Sequence, residues 1–104
     1  GEKGLGFIPG LVRRFPPGIR VPHLGWNTVR VERGAPPWLR DISGKWFYFA
    51  HSFFCPGPAQ ATTEYQDVLF ASVVVLDNIV GFQFHPEKSG EHGLEIMRRA
   101  LHWK

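Results

Sequence analysis

Residues 80 to 93, VGFQFHPEKSGEHG, hold the most suggestive pairing of chemical groups in the chain. His85 ends an apolar run, Pro86 fixes the next φ, and Glu87 stands two residues on. Open α/β folds place ligands at the carboxyl ends of strands. A carboxylate turned back on one imidazole nitrogen fixes the tautomer and stabilises the imidazolium, leaving the other nitrogen free to take a proton from a thiol or hydroxyl. That would be two-thirds of a nucleophilic triad. The same spacing also suits a plain strand-ending histidine followed by a surface glutamate, and spacing alone does not separate the two.

The nucleophile is harder to find. The single cysteine, Cys55, lies in Phe54-Cys55-Pro56-Gly57-Pro58, which is no strand-to-helix elbow. It reads as an unreactive loop or packing residue, because thiol reactivity needs a setting that lowers the pKa. His-x-Glu also occurs in zinc deaminases, with the glutamate as proton shuttle, but those enzymes need a downstream Pro-Cys-x-x-Cys and no cysteine follows Cys55. His23, His51, His92 and His102 lack the spacing of metal ligands. Neither a metal nor another cofactor is expected.

The elements that must position His85 and Glu87 read as short strands followed by one helix. Leu11 to Phe15 is a strand candidate stopped by Pro16-Pro17-Gly18, and Thr28 to Val31 is a second, after the turn-rich Pro22-His23-Leu24-Gly25-Trp26-Asn27. Lys45 to Phe54 is dense in aromatics and reads as a strand running into a loop at His51-Ser52. Ala61 to Glu64 is a short strand. Phe70 to Leu76 and Ile79 to Phe84 form a hairpin across Asp77-Asn78, which tolerates positive φ. After the last strand the period changes: Leu94, Met97 and Leu101 fall at i, i+3 and i+7, flanked by Ile96 and Ala100, which predicts a helix with that stripe in the core. Ser89 is its expected N-cap, and Glu91, Arg98, Arg99 and Lys104 match the helix dipole.

Composition limits the function classes. The 104 residues are 43% hydrophobic and 20% charged, with four tryptophans and nine phenylalanines, which is ordinary globular usage enriched in aromatics. The net charge of +3 is scattered apart from Arg13-Arg14 and Arg98-Arg99, so a solvated surface accounts for it without nucleic acid. Lys45-Trp46-Phe47-Tyr48-Phe49 has the aromatic density of an RNA-recognition strand, but Trp46 and Tyr48 stand where that motif needs small residues. One cysteine permits no intrachain disulfide. The run Val68 to Leu76 is too short to span a bilayer, so a soluble cytoplasmic chain without membrane contact is expected. The opening Gly1-Glu2-Lys3-Gly4-Leu5-Gly6-Phe7-Ile8-Pro9-Gly10, with four glycines, reads like an internal loop, as if the chain began inside a larger domain.

Phe82-Gln83-Phe84-His85-Pro86-Glu87-Lys88-Ser89 resembles the histidine and glutamate motif of the class I glutamine amidotransferases, whose triad is Cys-His-Glu. Within them, further segments resemble the glutaminase subunits of imidazole glycerol phosphate synthase, which serve histidine biosynthesis. These are Gly4-Leu5-Gly6-Phe7-Ile8-Pro9-Gly10 with Val12 and Arg14-Phe15-Pro16, then Val21-Pro22-His23-Leu24-Gly25-Trp26-Asn27, then Phe47-Tyr48-Phe49-Ala50-His51-Ser52-Phe53 with Ala61-Thr62-Thr63-Glu64-Tyr65. The resemblance implies glutamine hydrolysis through a cysteinyl thioester, with ammonia passing into a (β/α)8-barrel cyclase partner. It makes His85 the general acid and base and Glu87 its orienter. It gives His51, Ser52 and Phe53 the glutamine α-amino and α-carboxylate groups, and it turns Trp26, Asn27 and Lys88 toward the cyclase.

The departure is the family's Gly-x-Cys-x-Gly elbow and oxyanion loop, neither of which occurs in these 104 residues. The resemblance therefore implies one partial domain spanning residues 1–104, the C-terminal half of a flavodoxin-like α/β amidotransferase domain, mostly strands and hairpins with one C-terminal helix. Alone it would lack the attacking group, and triad members act as a unit. The missing N-terminal half is then a required partner. The alternative is a catalytically silent module that keeps the cyclase-facing surface or self-associates as a homo-oligomer to cover its open sheet.

Overall fold

The computed structural model describes residues 4–5, 13–57, 59–76 and 79–102. Among them the strands are β1 (Gly4–Leu5), β2 (Arg13–Arg14), β3 (His23–Thr28), β4 (Arg30–Val31), β5 (Trp46–His51), β6 (Phe53–Phe54), β7 (Ala61–Tyr65), β8 (Val68–Leu76) and β9 (Ile79–Phe82). Two 3-10 turns, Pro37–Ile42 and Pro86–Lys88, and one helix, α1 (Gly90–Leu101), complete them. The described residues thus form mostly strands with one C-terminal helix. No helix among the described residues is long and apolar enough to cross a membrane.

The main sheet has the order β1-β9-β8-β7-β4, with β1 parallel to β9 and the other pairs antiparallel. Its central strand, β8, buries Phe70, Ala71, Ser72, Val73 and Val74 in succession. Covered on both faces, such a strand reads as a continuous apolar run instead of an alternation. β8 and β9 pair as the hairpin expected, while its tip, Asp77-Asn78, lies outside the described residues. The β7–β8 turn is made by Gln66 and Asp67, both at positive φ (47° and 67°), the geometry of a two-residue hairpin. The glutamine is held there by its Oε1, which accepts the Arg20 N–H at 3.0 Å.

β3 and β5 form a separate antiparallel ribbon, with Trp26 opposite Tyr48 and His23 opposite His51. The segment read as turn-rich from its Pro, Gly and Asn is therefore strand from His23 onward, and the expected strand Thr28 to Val31 is divided between β3 and β4. Gly25 explains the difference. It sits mid-strand at φ 129°, a conformation open to glycine, and pairs with Phe49. The Leu11 to Phe15 strand is described only from Arg13, where β2 pairs with β6; Leu11 and Val12 lie outside the described residues, as do residues 6–10 of the first matching segment.

The helix forms where predicted but turns a different face inward. Gly93, Ile96 and Ala100 are buried, Met97 is half-buried, and Leu94 and Leu101 are 53% and 56% exposed. The stripe Leu94-Met97-Leu101 is therefore not core, which corrects the sequence reading. Rotation is set by two anchors the hydrophobic period does not contain. The His92 ring meets Phe47 edge-on at 4.9 Å and its Nε2–H donates to the Trp46 carbonyl. Arg99 bridges to Asp41 at 2.7 Å and to the Trp38 carbonyl at 3.0 Å, tying α1 to the Pro37–Ile42 turn. Inside, Phe47, Phe49, Phe70, Leu39, Val73, Val80 and Ile96 have almost no exposed surface.

Candidate active site

His85 follows β9 by three residues and enters the Pro86–Lys88 turn at φ −96° and ψ 99°. Pro86 at the first position of that turn supplies a preset φ, and the turn brings the Glu87 carboxylate back over the imidazole. Nδ1 of His85 lies 3.0 Å from Glu87 Oε2, with the two side chains 37% and 54% exposed. Glu87 is held below the usual carboxylate range, first by its own backbone N–H and then by the hydrogen bond from His85. The carboxylate is thus ionised at neutral pH and fixes the proton on Nδ1. This leaves Nε2 as the ring nitrogen not engaged by the carboxylate.

What holds the turn is Ser89, and here the expected role is corrected. Ser89 precedes α1 but makes no side-chain cap hydrogen bond. Fully buried, its Oγ donates to the His85 carbonyl at 2.6 Å and accepts the Tyr48 N–H at 2.9 Å. The Tyr48 carbonyl in turn accepts the His85 N–H at 2.8 Å. The catalytic candidate is therefore clamped to β5 from both sides. A Cβ on Gly93 would fall 2.6 Å from Ser89 Cβ and 3.2 Å from the Pro86 carbonyl carbon, and nearer still to that carbonyl's oxygen. Only a glycine lets α1 approach the turn this closely.

His51 ends β5, Ser52 makes the bend, and Phe53 opens β6. His51 Nδ1 donates to the Phe53 carbonyl at 2.7 Å, and its Nε2 lies 2.9 Å from His23 Nδ1. The pKa of His51 is lowered by burial first, against the Phe53 hydrogen bond, with a further lowering from the charge of His85. Phe53 itself is 46% exposed, with the Arg14 guanidinium 5.6 Å from its ring. His23 is buried, and burial followed by the neighbouring His51 pushes its pKa down to about 4.

The residues expected to face a partner divide. Trp26 is 51% exposed and meets the Tyr48 ring edge-on at 5.9 Å, beside the exposed Leu24 and Trp46 on one face of the ribbon. Lys88 is exposed on the turn that Tyr48 holds. Asn27 instead directs its amide to His23 Nε2 at 3.3 Å and to the Glu64 carbonyl at 2.9 Å. Cys55 donates to the Gly57 carbonyl at 3.7 Å, next to an isolated bridge to Ala71. Among the described residues no three His, Cys, Asp or Glu converge as a metal site. Sequence reasoning missed the roles of His23, Tyr48, Ser89 and Gly93. For His23 a signal existed, since His23, Gly25 and Asn27 alternate with Leu24, Trp26 and Thr28.

No protein-family model matches the chain. Individual relatives do. The chain is 43% identical over 100 residues to the imidazole glycerol phosphate synthase subunit HisH of Listeria innocua, covering 92% of this chain and 48% of that protein. It is 44% identical over 102 residues to the subunit of the same name from Archaeoglobus fulgidus, covering 95% and 52%. The Gloeobacter violaceus subunit gives 41% over 106 residues, covering 94% and 46%. The chain thus spans about half the length of the curated relatives it matches, and the match falls on their C-terminal half. Over nearly its whole length, the chain is a homologue of the C-terminal half of the HisH subunits of imidazole glycerol phosphate synthase.

Proposed function

We propose that the chain is one partial domain that supplies the base, the orienting carboxylate and the glutamine-holding segment of a cytoplasmic glutamine amidotransferase serving imidazole glycerol phosphate synthesis. His85 Nε2 takes the proton from a cysteine thiol provided by the N-terminal half of the domain, and returns it to the leaving ammonia. Glu87 orients the ring and stabilises the imidazolium. His51, Ser52 and Phe53 hold the α-amino and α-carboxylate groups of glutamine. Trp26 and Lys88 face a (β/α)8-barrel cyclase that receives the ammonia, while Asn27, expected there too, turns its amide inward to His23 and Glu64.

The observation that carries this reading is the His85–Glu87 pair at 3.0 Å, clamped by Ser89 and Tyr48. The experiment is complementation: glutaminase activity of the chain alone, then with a thiol-bearing N-terminal half, then with the cyclase as well. Activity is expected only in the assembled forms. Assembly demonstrated by co-purification, with no ammonia release from glutamine, sinks the reading.

The exposed Leu94 and Leu101 on α1, and Leu24, Trp26 and Trp46 on the ribbon, favour a second reading in which the chain self-associates as a silent module. Light scattering distinguishes them. A homo-oligomer that persists when the N-terminal half is added, without activity, supports the silent module.

A further inference from the structure

His23 has no part in the chemistry proposed above, yet its surroundings are built. Its ring is stacked between Phe49, at 4.8 Å and 17°, and Tyr65, at 4.0 Å and 18°, which together fix the ring plane. In that plane each nitrogen meets a polar atom: Nδ1 meets His51 Nε2 at 2.9 Å, and Nε2 meets Asn27 Nδ2 at 3.3 Å.

The direction of this chain is fixed at both ends. Asn27 Oδ1 accepts the Thr28 N–H at 2.7 Å, so Nδ2 is the amide nitrogen, and it donates to both the Glu64 carbonyl and His23. His23 Nε2 therefore accepts, and its proton lies on Nδ1. That proton is donated to His51 Nε2, so the His51 proton lies on Nδ1, facing the Phe53 carbonyl at 2.7 Å. Two neutral rings satisfy every contact in this one arrangement, and burial keeps His23 neutral down to about pH 4.

We propose that Asn27 and His23 are positioning residues: by this one-way hydrogen-bond chain they hold the His51 ring, and through it the backbone of the Ser52-Phe53 bend. The inference rests on the reading of residues 51–53 as the glutamine-holding segment. A ring N–H bonded to the carbonyl two residues on fixes the intervening peptide, so loss of the chain loosens glutamine binding and leaves the His85–Glu87 pair intact.

The test uses the chain labelled at histidine nitrogens and at backbone carbonyls. Long-range proton–nitrogen spectra at neutral pH are expected to show His23 and His51 both neutral and both protonated at Nδ1. A proton on Nε2 of either ring overturns the proposal. His23→Phe keeps the stacking slot and removes both nitrogens, whereas His23→Gln keeps an amide donor and acceptor. The first is expected to shift the Phe53 carbonyl signal and disturb the His51 Nδ1–H, and the second to restore both in part. No change in a folded His23→Phe overturns the proposal. In the complemented assembly, His23→Phe is expected to raise KM for glutamine about tenfold, the loss of roughly one hydrogen bond, with kcat changed less than about twofold. A folded, active variant with unchanged KM overturns the glutamine-positioning role. An inactive wild-type assembly overturns the functional reading instead, and the spectra still decide the positioning.

Discussion

Gly93→Ala tests the clamp behind His85. The added Cβ would sit 2.6 Å from Ser89 Cβ, against an optimal carbon–carbon separation of about 3.5–4.0 Å, so α1 and the turn must separate by about 1 Å. Alanine is the better helix former by about 1 kcal/mol, which favours the variant. Overpacking against a backbone carbonyl and a buried Cβ costs about 1–3 kcal/mol, and here the opposing atoms are not flexible chain ends. The net expectation is a loss of up to about 2 kcal/mol. A displacement of Ser89 by about 1 Å stretches its bonds of 2.6 and 2.9 Å beyond hydrogen-bonding range and removes the Ser89 link between His85 and Tyr48, leaving only the direct His85 N–H to Tyr48 carbonyl bond. Urea unfolding measures the stability, and the Tyr48 and His85 amide signals report the clamp. In the complemented assembly, misplacement of the base on this scale is expected to reduce turnover by about 10²-fold. A variant as stable as the parent, with both amide signals unmoved, would refute the claimed close approach of α1 to the turn.

Ser89→Ala leaves the Tyr48 N–H without its acceptor and should cost about 1–3 kcal/mol, with faster hydrogen exchange at that amide; unchanged exchange would count against the clamp. Glu87→Gln should alter stability by less than about 1 kcal/mol, because the pair is exposed, while turnover of the assembly falls by up to about 10⁴-fold. Equal turnover would remove Glu87 from the mechanism. His23 titrates near 6.5 when unfolded and near 4 when folded, so between these values the folded chain binds fewer protons. Its contribution, about 3 kcal/mol, is fully present above pH 6.5 and is lost as pH falls toward 4. Urea unfolding across this range should therefore show a steeper acid loss for the parent than for His23→Phe. Ile96→Ala should cost about 2–5 kcal/mol and Leu94→Ala less than about 1 kcal/mol, which separates the observed helix face from the one the period suggests.

The sequence by itself determined what is local. The β-branched runs, the switch to a helical period after Ser89, and the His85-Pro86-Glu87 spacing each depend on near neighbours, and each forms within a few residues of where it was expected. The motif segments were legible for the same reason, since their order along the chain needs no folding to be read. Only tertiary structure decided the rest. Residues 23–27 become strand because β5 pairs with them, and Gly25 supplies a φ that this pairing requires. The helix face is chosen by His92 and Arg99 reaching Trp46 and Asp41, contacts 46 and 58 residues away in sequence, against a weak preference between two apolar stripes. Ser89 reads as a cap until Tyr48, 41 residues distant, offers its N–H. The His23–His51 chain joins residues 28 apart whose proton positions follow from Asn27 at one end and the Phe53 carbonyl at the other. A hydrogen bond between distant residues leaves no period in a sequence, and it is these bonds that turn a histidine and a glutamate into a held pair.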